Sequence, residues 1–197
     1  MSVAATLASS DLAQSAQAFG HETSALLTVV LLTGAAIVVA AMLPRRRVVG
    51  ALAGISLAVA IGLTITPFGG WSSLGFETGA LRNIISNVEP HRSALTGWFR
   101  NNDGPANVLL FLPAGLFVSL LLRRPVLTTV ALTALSFAIE CWQSTLTTRV
   151  GSFDDVVANA LGAALGAAVA ALVLGVRALT NRAARQPQRS NGLTPVG

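Results

Sequence analysis

The sequence predicts an all-α protein, a polytopic membrane bundle of five transmembrane helices with the amino terminus outside and the carboxy terminus in the cytoplasm. Three observations carry that prediction. The chain of 197 residues is 53% hydrophobic and 11% charged, less than half of the ~25% charged residues usual in a soluble domain, and its mean hydropathy is +0.68. Five apolar runs reach the length of roughly 20 residues that a helix needs to cross a bilayer. Its basic residues, 13 Arg and no Lys, are sorted to one side of those runs.

Arg45–Arg47, Arg123–Arg124 and the group Arg177, Arg182, Arg185 and Arg189 hold nine of the thirteen arginines. By the positive-inside rule that side is cytoplasmic. Asp11, Glu22, Glu77, Glu89, Asp103, Glu140, Asp154 and Asp155, all eight acidic residues, fall on the other side or at its membrane edge. A sequence pI near 11.5 would also suit a nucleic-acid binder. Here the positive charge marks the ends of apolar runs, so no nucleic-acid partner is expected. The single Cys141 excludes an internal disulfide and a cysteine-rich metal site, and reads as packing.

Residues 1–22 are small and polar and predict a flexible extracytoplasmic segment. A single transmembrane domain follows over 23–177. Its first span is 24–43, stopped by Arg45-Arg46-Arg47. The second, 48–66, ends at Pro67, and its Gly50, Gly54 and Gly62 suit close helix contact. The long connection 67–104 carries Leu81, Ile84, Ile85 and Val88 at helical spacing, which predicts a short amphipathic helix at the membrane interface. Trp71, Phe76, Trp98 and Phe99 suit the headgroup level. His91, beside Arg92, has no partner at ligand spacing and is given no role.

Asp103-Gly104-Pro105 opens the third span, 105–122, where Pro113 removes a hydrogen-bond donor and predicts a kink. Arg123-Arg124-Pro125 is a tight turn into the fourth span, 126–143. A short connection, 144–153, leads to the fifth, 154–176, whose Asp154 and Asp155 complement the helix dipole. Residues 178–197 read as a disordered cytoplasmic tail.

This topology brings Asn107, Glu140, Gln143, Arg149, Asp154, Asp155 and Asn159 to similar depth at the outer face. Ser136, Glu140 and Gln143 share one face of the fourth span, and Asp155 and Asn159 one face of the fifth. Polar groups inside spans are costly, which makes this cluster the candidate ligand-binding site. Glu140 is the candidate catalytic acid or base. Glu140, Asp154 and Asp155 are candidate ligands for a divalent cation, Mg²⁺ or Ca²⁺, with no cofactor certain. Arg149 can clamp a phosphate or carboxylate, or staple the hairpin by pairing with Asp154 or Glu140. No zinc, serine-hydrolase or Walker pattern is present. Gly162 and Gly166, flanked by alanines, form a helix-packing surface, either within the bundle or in a homo-oligomer.

The run Asn107, Phe111, Pro113, Gly115 resembles the N-x-x-x-F-x-P-x-G signature of VanZ-like membrane proteins, with Ala114 in place of the family's Leu. Glu140-x-x-Gln143, Arg149, Asp154-Asp155, Asn159, Gly162 and Gly166 resemble that family's second signature, so the likeness is carried by residues 103–168. The resemblance implies an integral protein of the bacterial cell envelope, in the cytoplasmic membrane. The name-giving member is associated with teicoplanin resistance, and the family supplies no agreed catalytic residues.

Three readings follow. The first is an outward polar cluster that recognises an anionic or amphiphilic envelope molecule, such as a membrane lipid or lipid-linked precursor. The second is a metal-dependent enzyme acting on an envelope lipid. The third is a small transporter, disfavoured because five spans without an inverted repeat offer little for alternating access.

Overall fold

The computed structural model describes the backbone of residues 3–43, 46–88 and 103–185, and the side chains of 22–43, 46–88 and 104–184. Arg45, Glu89, His91, Arg92, Trp98, Phe99, Arg100, Arg189 and the end of the tail lie outside the described residues. Six α-helices make up the described chain: α1 (Val3–Ala41), α2 (Arg47–Ile65), α3 (Ala80–Asn87), α4 (Asp103–Leu122), α5 (Pro125–Gln143) and α6 (Phe153–Arg185). A 3-10 turn spans Trp71–Ser73. Among the described residues there is no named strand, only one antiparallel bridge between Phe76 and Leu146.

Five segments are long and apolar enough to cross a membrane: Glu22–Ala41, Arg47–Ile65, Gly104–Leu122, Pro125–Gln143 and Phe153–Ala184. The two terminal helices overrun the apolar runs that predicted them. The stretch before residue 23, expected to be flexible, is helical from Val3, where alanines and the absence of proline favour helix. α6 likewise continues to Arg185, into the stretch expected to be disordered. The amphipathic segment in the long connection is helical as α3, with Leu81 and Ile85 exposed.

Packing follows small residues. α4 and α6 make the most extensive helix contact, because their glycines let the two backbones touch. A Cβ on Gly162 would lie 2.2 Å from the Val108 carbonyl oxygen, and one on Gly166 2.1 Å from that of Leu112. From the other side, a Cβ on Gly115 would meet the Ala163 oxygen at 2.3 Å. The Gly162/Gly166 face, one candidate surface for self-association, is therefore taken up by α4 of the same chain. α1 packs on α2, with Gly54 against Ala36 and Gly62 against Val29.

The buried centre contains Ala60, Phe111, Ala114, Leu132, Ile139 and Ala163. Large apolar side chains such as Leu31, Val126 and Leu172 point outward. In water such a surface would be an aggregation liability; in a bilayer it is the solvated one.

The bundle has two unlike ends. One holds Arg46, Arg47, Arg123, Arg124, Arg177 and Arg182; the other holds Glu77, Glu140, Asp154 and Asp155. They are called here the arginine end and the acidic end.

Candidate functional site

The site at the acidic end starts from a helix that cannot close itself. Thr66 precedes Pro67, and a residue before proline is pushed out of the helical region. Thr66 takes φ −73° and ψ 127°, and α2 stops at Ile65. No left-handed glycine stands immediately after the helix to satisfy its last carbonyls with backbone donors. Those carbonyls need donors from elsewhere, above all in an apolar surrounding.

Side chains supply every one from Gly62 to Thr66. The Thr66 hydroxyl donates to the Gly62 carbonyl at 2.7 Å. Arg149 Nη2 donates to Leu63 at 3.2 Å, Gln143 Nε2 to Thr64 at 2.8 Å, and Trp142 Nε1 to Ile65 at 3.0 Å. Arg149 Nε completes the set on Thr66 at 3.0 Å. The cation also complements the negative end of the α2 dipole.

The same turn of α5 serves a second helix. α6 begins at Phe153, which makes Ser152 its N-cap. The Ser152 hydroxyl accepts the backbone N–H of Asp154 at 3.2 Å, and the Ser152 N–H donates to Glu140 Oε2 at 3.0 Å. This is the logic of a capping box, except that the glutamate comes from the preceding helix. Asp155, three residues into α6, turns instead to α4, where Asn107 Nδ2 donates to Asp155 Oδ1 at 2.8 Å. Gly151 makes the close approach possible, since a Cβ there would lie 2.1 Å from the Glu140 carbonyl oxygen and 2.3 Å from Ser144 Oγ.

One turn deeper, Asn159 Nδ2 donates to Ser136 Oγ at 2.9 Å. Glu140, Ser136 and Asn159 are each no more than 2% exposed. Asn159 Oδ1 and Ser144 Oγ are buried without a hydrogen-bond partner.

The rim is more open. Arg149 is half-buried, and its guanidinium carbon lies 4.3 Å from the centroid of the Phe68 ring. Burial pushes its pKa below the ordinary arginine value, while the nearby Glu140 works against that shift; arginine stays charged at neutral pH. Phe68 is 50% exposed and Val150 73%. Phe76 stands edge-on to Trp142, with ring centroids 5.9 Å apart.

The predicted residues thus fall into three groups. Gln143 and Arg149 hold the end of α2, Glu140 holds the start of α6, and Asn107, Asp155 and Asn159 join α4, α5 and α6. Asp154 lies in the first turn of α6, its N–H on Ser152. Among the described residues, no three His, Cys, Asp or Glu side chains gather where they could hold a metal ion, so Glu140, Asp154 and Asp155 do not form one ligand set. Sequence reasoning missed Trp142, Ser152 and Phe68, and the part played by α2. The usable signal was Thr66-Pro67, which ends a helix without a backbone cap.

The fold and this site define a multi-pass α-helical membrane protein with a buried polar clasp joining its last three spans to its second. The VanZ/LLP1 family model matches residues 29–174, which takes in all of α2, α4 and α5 and most of the spans on either side. The chain belongs to the VanZ/LLP1 family. No curated protein and no solved structure matches it.

Proposed function

We propose that this protein recognises an anionic amphiphile of the bacterial cell envelope at the rim of the acidic end, which faces out of the cytoplasmic membrane. One observation carries the reading: the half-buried Arg149 is fixed by two backbone carbonyls while its face rests on the exposed Phe68 ring. A pre-oriented cation on an apolar floor, with exposed Val150 beside it, suits a phosphate or carboxylate attached to a lipid chain. Lipid-linked precursors and lipoglycopeptides of the teicoplanin type both have that chemistry, which connects the site to a resistance role. The buried Glu140, Ser136 and Asn159 hold the rim in shape. Metal-dependent turnover is the weaker reading, because the carboxylates do not gather as ligands.

The test is saturable binding of a phosphate-bearing polyprenyl lipid to the purified protein. Arg149→Gln should weaken it by roughly tenfold, the value of one lost charge-assisted contact. Unchanged binding in that variant, or turnover of the lipid that requires Mg²⁺, contradicts the reading.

A further inference from the structure

The arginine end holds a feature that plays no part in the site above. A cavity of about 680 Å³ opens between the start of α2, the end of α4 and the far part of α6. Arg46, Arg123 and Arg177 line it, one from each segment, together with Asn181; Leu120 and Leu174 form an apolar wall. Arginines that serve only to orient spans in the membrane have no need to share a cavity.

One of the three is hydrogen-bonded, and a second sits on a strained backbone. Arg46 Nη1 donates to the Leu121 carbonyl near the end of α4, which fixes its guanidinium at the cavity mouth. Arg123 has φ 58° and is the one non-glycine residue in the left-handed region among the described residues. It directly follows α4, a position that glycine fills without strain. An arginine there keeps its charge in the cavity at the expense of backbone strain, a pattern that concentrates at functional sites.

Nothing in the lining segments neutralises these charges, since none of the chain's eight Asp and Glu residues belongs to them.

We propose that this cavity binds the headgroup phosphate of an anionic phospholipid from the leaflet at the arginine end. The three guanidinium groups would take the phosphate oxygens, and Leu120 and Leu174 would lie along the start of the acyl chains. A basic pocket between spans is the known chemistry for such headgroups. A zwitterionic headgroup brings no net charge to balance three arginines, so the site discriminates by headgroup charge.

Native mass spectrometry of the detergent-solubilised full chain, titrated with dioleoylphosphatidylglycerol or dioleoylphosphatidylcholine, tests this. The anionic lipid should bind roughly tenfold more tightly. Arg123→Gln with Arg177→Gln should reduce that preference to about twofold or less, while Arg82→Gln on α3 leaves it intact. Arg123→Gly separates binding from folding: it relieves the backbone and should raise the melting temperature, yet lower the preference. Equal binding of the two lipids, or a preference that survives the double substitution, overturns the proposal. Displacement of phosphatidylglycerol by equimolar inorganic phosphate also overturns it, by showing a site for a soluble anion.

Discussion

The carboxylate of Glu140 accepts the backbone N–H of Ser152 at 3.0 Å, so the last turn of one membrane span caps the first turn of the next. The neighbours of Glu140 in that turn, Trp142 and Gln143, reach the other way, to the carbonyls that end α2. Acceptor to the start of one helix and donors to the end of another: that division gives the turn its polar residues.

Glu140→Ala leaves the Ser152 N–H without its acceptor in an apolar setting and should cost about 1–3 kcal/mol. Glu140→Gln keeps an amide oxygen in the same place and should cost under about 1 kcal/mol. Thermal unfolding in detergent distinguishes them. Equal losses would mean that the charge, and not the cap, is what matters.

Trp142→Phe keeps the ring against Phe76 but removes the donor to Ile65. Gln143→Leu keeps the volume but removes the donor to Thr64. Each should cost about 1–2 kcal/mol, read as a fall in the midpoint of chemical unfolding. Arg149→Lys should also destabilise, because a single ammonium cannot reproduce the two fork contacts on Thr66 and Leu63. Neutral behaviour in all three would show that α2 does not depend on these donors.

The spacing of Ser136, Glu140 and Gln143 makes their common helix face legible, and the positions of the arginine runs make the five spans legible. What each polar group touches is a different matter. Gln143 lies 79 residues from its acceptor Thr64, and Arg149 83 residues from Thr66. No local periodicity encodes such a pairing. Arg149 also shows what residue type leaves unsaid. In sequence it reads as a clamp for a phosphate or carboxylate, or as a staple to Asp154 or Glu140, and the fold adds that its Nε and Nη2 donate to the backbone carbonyls of Thr66 and Leu63. Asp155 was readable as a dipole partner of its own helix, whereas its bond to Asn107 depends on how closely α4 and α6 approach. α1 and α6 run on past the apolar stretches that mark their spans, because hydropathy marks where lipid stops, not where helix stops.

That close approach makes its own prediction. Gly162→Ala and Gly166→Ala place a methyl group within about 2.2 Å of backbone oxygens on α4, where no side chain can swing aside. Each should cost at least about 1–3 kcal/mol, the range typical of overpacking with the backbone shifts it forces. Gly34→Ala, with nothing within 4 Å of the added carbon, should instead be neutral or stabilise by up to about 1 kcal/mol. Expression and melting temperature of the three variants give the comparison. Tolerance at Gly166 would contradict the packing of α4 on α6.

Hydrogen–deuterium exchange resolved at the Ser152 amide tests the account most directly. In the native protein this amide should exchange slowly, and in Glu140→Gln nearly as slowly. In Glu140→Ala it should exchange at least about tenfold faster, the equivalent of roughly 1.4 kcal/mol of lost protection, while amides in the middle of α1 stay unchanged. A Ser152 amide that exchanges at the same rate with and without the Glu140 carboxyl group would show that α5 does not cap α6, and the clasp on which the site rests would not exist.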